Sequence, residues 1–305
     1  MGDTPYSASD ELILQDQIRN MTQVSTARNA VFTVHVGDLQ MPGRSECSES
    51  AFASVYSYLS LGPVPTFVLA GDNDWYDCPV PSQAWERYMR YFGRFEHLWT
   101  LRLPLDTPRL ANVTKFSKRP EMFAFEHGNV LFLSVTLING FPDGTATTDT
   151  NDHTTATAEQ QWNERMVANM EWIRTTLDHY FAHYPLRGVV LFGHAVRSPD
   201  IRSFFVTLSD IFQQTPVRAA TPVLYLHGDG HEWQVDTRAA SVLNWPSYTA
   251  VQVEQGGHAE PCVVEVAPVV DGVMVPLEAK HGLQHIFANG LFRIDRQGGN
   301  YVDMN

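Results

Sequence analysis

Four apolar runs in this chain end on a glycine followed at once, or within a few residues, by a side chain that binds metals. They are "VHVGDLQ" (Val34 to Gln40), "FVLAGDNDW" (Phe67 to Trp75), "VVLFGHA" (Val189 to Ala195) and "VLYLHGDGHEW" (Val223 to Trp233). The residues delivered are Asp38, Asp72, Asn73, Asp74, His194, Asp229 and His231. Carboxylates, an amide oxygen and imidazoles together suit Mn, Fe or Zn, and the scarcity of cysteine among them argues against a soft-metal site. A single Gly-Asp is ordinary turn or cap chemistry. Recurrence at four strand ends is what singles these positions out.

The elements that must carry them read as alternating strands and helices. Ser9 is a candidate cap for a first helix bearing Leu12, Ile13 and Ile18 on its apolar side. "AVFTVHV" and "TFVLA" are strands, with the helix "ESAFASVYSYL" between them. Ser82 is expected to cap a helix whose stripe of Trp85, Tyr88, Met89, Phe92 and Phe95 is core packing. Leu101 to Pro120 and Phe141 to Thr157 read as loops, and between them "MFAFEHGNVLFLSVTLI" reads as a hairpin turning at His127-Gly128-Asn129. A long helix with Trp162, Met166, Ile173 and Leu177 on one face follows, then "GVVLF", a helix through Phe204 and Leu208, and "PVLYL". From Ser247 onward the pattern is short strands and glycine turns. This order defines an α/β layered fold, in which sites gather at the carboxyl ends of strands.

Composition narrows the function classes. The 305 residues carry a formal charge of −13 and show no Lys/Arg cluster, which speaks against nucleic acid and anionic lipid as partners. An acidic protein that handles an anionic substrate needs local positive charge, which bound metal ions supply. No apolar stretch has the length of a membrane span. The chain opens "MGDTPYS", without a basic or hydrophobic leader, as a trimmed form would. Cys47 and Cys78 follow the first two Gly-Asp pairs by nine and six residues, and Cys262 stands apart. If those two strands are neighbours the loops could meet; on spacing alone a bridge and two thiols are equally open.

Other catalytic motifs are missing. His227 and His231 have zinc-protease spacing, but Gly228, Asp229 and Gly230 lie between them and no Glu follows the first His. There is no G-x-S-x-G elbow, P-loop or G-x-G-x-x-G.

The ordered series Gly37-Asp38, Gly71-Asp72-Asn73-Asp74, Gly193-His194 and Gly228-Asp229-Gly230-His231 resembles the calcineurin-like metallophosphoesterases, whose motifs run GD, GN[HD][DE], H, GHxH. It is most similar to a branch with "PGDNEWTDC" and "HGDSH" at these places, here "AGDNDWYDC" and "HGDGHEW". The resemblance covers roughly Gly2 to Val253. It implies a layered β-sandwich flanked by helices over residues 1–253, with 254–305 a β-rich C-terminal extension packed on the same domain. It also implies a Cys47–Cys78 bridge with Cys262 unpaired, and hence a secreted or periplasmic protein.

By the same resemblance, two divalent ions (Mn, Fe, Zn or Mg) activate a hydroxide that hydrolyses a small phosphorylated substrate, a mono- or diester. Asp3 and His231 hold the first ion and Asp38 bridges both. His194 and Asp229 hold the second, together with Asp72 or Asn73. Departures are visible. Pro5 stands where the family's D-x-H has its His, and Tyr6 beside it offers an oxygen. Asp229 replaces the first His of GHxH, and Asn73 or Asp74 replaces the His that faces the leaving group. His153, in a polar loop, is a substitute acid. With only Met1 and Gly2 ahead of it, Asp3 is expected to sit on a frayed, poorly preorganised terminus. These departures leave a second reading: a non-catalytic binding module with a degraded metal site.

Overall fold

The structure, a computed structural model, describes residues 1–41, 47–100, 113–139, 155–236, 243–280 and 284–298, the side chains of 155–159 excepted. The first half runs α1 (Ala8–Arg28), β1 (Thr33–His35), α2 (Glu49–Leu59), β2 (Thr66–Val68), α3 (Pro81–Phe92), a 3-10 turn (Phe95–Thr100), β3 (Thr114–Phe116), β4 (Arg119–His127) and β5 (Val130–Ser134). The second half runs α4 (Thr155–His183), β6 (Gly188–Phe192), α5 (Arg202–Phe212), α6 (Pro216–Ala220), β7 (Val223–His227), β8 (Gln234–Asp236) and β9 (Tyr248–Gln252). The C-terminal strands are β10 (Val263–Val266), β11 (Val269–Val270), β12 (Val273–Met274), β13 (Gln284–Phe287) and β14 (Phe292–Asp295).

A seven-stranded mixed sheet has the order β3-β4-β5-β6-β7-β9-β8. Opposite it lie the parallel pair β1-β2 and the antiparallel trio β10-β14-β13. Alternation along the strands builds the layers. In β5, Val130 and Phe132 face the second sheet, while Leu131 and Leu133 face α4 and α5. In the β2 run, Phe67 and Leu69 turn inward and Val68 and Ala70 turn to α1–α3. Between the sheets Phe67 meets Phe123 at 4.1 Å and Phe125 at 5.4 Å between centroids. Each buried ring contributes about 1.5–3 kcal/mol of transfer free energy. Leu291, Phe292 and Ile294 share this core, so residues on both sides of position 253 enclose one interior. The expected α/β class is present, a central many-stranded sheet with helices packed on it.

Several local expectations shift. The cap of α1 is Ser7, whose hydroxyl accepts from the Asp10 amide; Ser9 is inside the helix. Helix α3 starts at Pro81, which suits the first position because it has no N–H to leave unpaired; the cap position is Val80, without a side-chain cap bond, and Ser82 is inside the helix. That helix ends at Phe92, and Phe95 belongs to the following 3-10 turn. Strand β3 and the start of β4 occupy the C-terminal part of the expected Leu101–Pro120 loop, as short polar strands give no alternating apolar signal. Of the expected Phe141–Thr157 loop, Thr155 onward is already α4, and 140–154 lie outside the described residues.

What matters for the site is adjacency. β1 and β2 pair in parallel with His35 opposite Val68, and β6 and β7 pair in parallel with Phe192 opposite Leu226. All four motif strands therefore point their carboxyl ends the same way within their sheets. Cys47 and Cys78, leaving β1 and β2, are disulfide-bonded with Cα atoms 5.8 Å apart, and Cys262 is free.

Candidate metal centre

The N-terminal residues are not frayed. The Val36 amide donates to the Met1 carbonyl at 2.8 Å, the Asp3 amide to Gly37 at 2.9 Å and the Thr4 amide to Asp38 at 2.9 Å. The terminal segment thus lies along the edge of the β1 run, and Asp3 is fully buried. His35 joins the two: one ring nitrogen faces the Thr4 carbonyl at 3.1 Å and the other accepts from the Gly37 amide at 3.3 Å. Burial, then the nearby terminal ammonium, lowers the His35 pKa to about 3, so the ring is neutral.

Asp3, Asp38, Asp229 and His231 all have positive φ, at 55°, 60°, 74° and 64° respectively. Left-handed backbone at four non-glycine residues in one place is stored strain of the kind that marks functional sites. The preceding glycines have a separate cause. A Cβ on Gly37 would stand 2.7 Å from His194 Nδ1, one on Gly71 would collide with Asp38 Oδ1, and one on Gly228 with Asp3 Oδ2. Each glycine makes room for a ligand-type side chain from another strand end, which explains the repeated dipeptide.

The structure brings the predicted residues together in two groups. Asp3, Asp38 and His231 form one; Asp38, Asp72 and His194 form the other. His194 Nε2 lies 3.3 Å from Asp38 Oδ1, 3.6 Å from Asp72 Oδ1 and 4.0 Å from Asp229 Oδ1. His231 Nε2 lies 3.6 Å from Asp3 Oδ1. The groups fit cations on two counts. His194 Nδ1 is 2.9 Å from the Val36 carbonyl, which fixes Nδ1 as an N–H and turns Nε2 toward the cluster. That Nε2 is buried with no hydrogen-bond partner, and so is Asp3 Oδ2. Among the described residues, the ion-pair partners of Asp3, Asp38, Asp72 and Asp229 are His194 and His231, too little positive charge for four clustered carboxylates.

The electrostatics say the same. Burial raises the Asp3 and Asp38 pKa values, and for Asp38 the neighbouring carboxylates of Asp72, Asp74 and Asp3 add to it. Burial opposes ionisation of Asp72 as well, but the close approach and charge of His194 outweigh it and hold the pKa low. Burial would depress His194, yet Asp38, Asp72 and Asp3 together hold it well above its ordinary value.

Asp72 and Asn73 take different places. Asp72 completes the His194 group. The Asn73 side-chain amide donates to Asp38 Oδ2 at 2.6 Å, and its backbone amide to Asp38 Oδ1 at 3.2 Å, so Asn73 contacts the shared carboxylate. Asp74 lies behind the cluster. Its oxygens accept the backbone amides of Asp38, Leu39 and Gly71 at 2.8–2.9 Å, and burial pushes its pKa up to about 6. With both oxygens engaged by backbone, Asp74 ties the two Gly-Asp loops together and does not face a leaving group. Asp229 has one oxygen held by Asn139 and by the Val196 amide, the latter at 3.2 Å. His153 is outside the described residues.

Sequence reasoning missed Asn139 and His35. Asn139 follows the "LI" that ends the β5 run, so a strand-end reading extended to the hairpin would have found it. His35 is an inward residue of a strand, which leaves no sequence signal. Tyr6 was visible only as a neighbour of Pro5; its hydroxyl reaches Asp38 Oδ2 at 2.6 Å.

No protein-family model matches the chain, and no curated protein matches it. Among solved structures it is similar to the NAD nucleotidase NadN of Haemophilus influenzae, at 10% identity and a TM-score of 0.39, covering 79% of this chain and 43% of that one. It is also similar to the "Termus thermophilus" sulfate thiohydrolase SoxB in complex with glycerol, at 16% identity and a TM-score of 0.40, covering 86% of this chain and 40% of that one. The chain thus spans less than half the length of either structure.

Proposed function

We propose that this chain is a metal-dependent hydrolase of phosphate esters with the calcineurin-like metallophosphoesterase fold, acting on a small phosphorylated substrate outside the cytoplasm. One observation carries the reading: two donor groups, Asp3/Asp38/His231 and Asp38/Asp72/His194, share a single buried carboxylate. A shared carboxylate between two donor sets is what a pair of cations requires. The Cys47–Cys78 bridge supports an oxidising compartment. Among the described residues no helix is long and apolar enough to cross a membrane.

When bound, a pair of divalent cations would lower the pKa of a water that attacks phosphorus and would neutralise charge on the phosphoryl oxygens. The chain's own part is to hold and aim. Val36 locks the His194 ring so that Nε2 faces the cluster. Asp74 clamps the β1 and β2 loops, fixing Asp38 relative to Asp72. Asn73 holds the Asp38 carboxylate through both its amides. Asn139 and the Val196 amide fix one Asp229 oxygen and leave the other toward His194.

The rival reading, a binding module without turnover, is favoured by Asp229, which stands 4.0 Å from His194 and offers the site a single unengaged oxygen. Metal analysis of the purified chain, followed by a chromogenic phosphate-ester assay with added Mn, separates the two. Bound metal with metal-dependent turnover supports the hydrolase. Bound metal without turnover on mono- and diesters leaves the binding module, and absence of both overturns the metal reading.

A further inference from the structure

Helix α4 sets one row of side chains against the loops that carry the second donor group. Trp162, Arg165 and Asn169 are three and four residues apart, so they share a face. Trp162 Nε1 donates to the Ile138 carbonyl at 3.4 Å, and the Asn169 side chain bonds both backbone groups of Thr136, at 3.0 and 2.7 Å. That run leads to Asn139, which holds Asp229. Arg165 reaches the other loop. Its Cζ lies 3.7 Å from the centroid of the Trp75 ring and 3.7 Å from that of Trp85, so the guanidinium is wedged between two indoles. Trp75 directly follows Asp72, Asn73 and Asp74. Its amide closes a turn on the Asp72 carbonyl at 3.2 Å, and the Cys78 amide closes on its own carbonyl at 3.3 Å. Trp75 is buried, and among the described residues its Nε1 has no hydrogen-bond partner, so ring contacts hold the side chain. Arg165 is buried too, yet its ion pair with buried Glu121 is 3.6 Å long, and among the described residues its Nε and Nη1 make no hydrogen bond. A buried charge held this loosely costs stability. The firm contacts of Arg165 are with the two rings.

We propose that Arg165 is a positioning residue for the second donor group: by fixing the Trp75 ring it fixes the turn that aims Asp72 at His194. The proposal rests on the metal-centre reading above. It divides the site by what supports it. The first group depends on the pairing of the N-terminal segment with the β1 run, and the second on α4. Loosening the Arg165 contact therefore weakens one ion and spares the other. Charge alone does not replace it, because an ammonium is a compact point charge and cannot fill a flat slot between rings.

The test is calorimetric titration of the full chain, stripped with chelator, with Mn, beside chemical denaturation of the same samples in chelator. The wild type should bind a pair of ions. Arg165→Lys keeps the charge opposite Glu121; it should bind one ion like wild type and the other about 10-fold more weakly, the low end of the loss for a residue that orients a ligand. The double variant Arg165→Met with Glu121→Gln removes both charges of the pair. It should be no less stable than wild type in chelator, as for other buried pairs replaced together, yet show the same weakening of one ion. A role confined to core packing does not loosen a single ion while stability is kept. In a Trp75→Phe background, adding Arg165→Lys should cost no further affinity, because the contact it serves is already changed. Wild-type affinity for both ions in Arg165→Lys, equal weakening of both, or losses that add in the Trp75→Phe background overturn the assignment and leave the metal centre standing. A wild-type chain that binds neither ferric, manganese nor zinc ion overturns the metal centre, and the role of Arg165 with it.

Discussion

Gly71 and Asp38 stand so close that a side chain on the glycine would occupy the position of the Asp38 carboxylate. They come from neighbouring parallel strands, β2 and β1, whose ends are drawn together by Asp74. Gly71→Ala must therefore push Asp38 out of the cluster. The expected outcome is a loss of about 1–3 kcal/mol in stability, as for other overpacked sites. Metal affinity should fall by about 10–100-fold, the range for displaced ligand supports. Chemical denaturation in chelator and isothermal titration with Mn check the two separately.

Asp38→Asn should act in opposite directions on the metal-free and loaded protein. Asp38 is buried beside Asp3, Asp72 and Asp74, whose charges disfavour its ionisation. Removing that charge is expected to raise the thermal midpoint in chelator. With metal present, loss of the carboxylate shared by both groups should lower affinity by ~100-fold or more and take hydrolysis to background. Full metal-dependent turnover by Asp38→Asn would exclude a shared carboxylate.

Asp72 and Asn73 can be told apart by single alanine variants. Asp72 stands in the donor group with His194, whereas Asn73 contacts Asp38 through its side-chain amide. Asp72→Ala should reduce bound metal to about one ion per chain, as expected when one of two metal sites loses a direct ligand. Asn73→Ala should retain both ions with affinity weakened by about 10-fold, as for a residue that orients a ligand. Metal counting by mass spectrometry reads the difference.

His35 gives a pH signature to the metal-free protein. Its folded pKa is lowered to about 3 from 6.5 by burial. The unfolded chain therefore binds the proton between those values while the native state does not. Stability from this group is complete above pH ~6.5 and is lost as pH falls toward 3, by up to about 1.4 kcal/mol per pH unit. In chelator, His35→Gln should flatten that part of the stability-versus-pH curve relative to wild type. An unchanged slope would mean that His35 is not the buried neutral connector between Thr4 and Gly37.

The disulfide makes a plainer prediction. Unreduced, denatured protein should titrate one thiol, Cys262, because Cys47 and Cys78 are bonded. Reduction should cost about 3–4 kcal/mol by the chain-entropy relation for a separation of 31 residues. A count of three thiols would remove the support for an oxidising compartment.

The sequence by itself determined the strand ends. A β-rich run cannot pack its apolar faces past a Gly-Asp, so "VHVGDLQ" and "FVLAGDNDW" fix where Asp38 and Asp72 leave the sheets, and helical periods fix α2, α4 and α5. Tertiary structure decided which donors meet. Asp3 looked like part of a loose terminus because the partners of its segment, the Val36 amide and the Gly37 and Asp38 carbonyls, lie far along the chain, and no local pattern encodes that pairing. Asp74 looked like a site acid because its type and spacing match Asp72; only the three-way convergence of the Asp38, Leu39 and Gly71 amides turns it into a clamp. Tyr6 and Asn139 entered the site by packing angle, through the start of α1 and the end of the β5 run. Sequence period sets which face a side chain takes, but the distance between two faces is set by the core packed between them, here the phenylalanines that bring the two sheets and their loops to one edge.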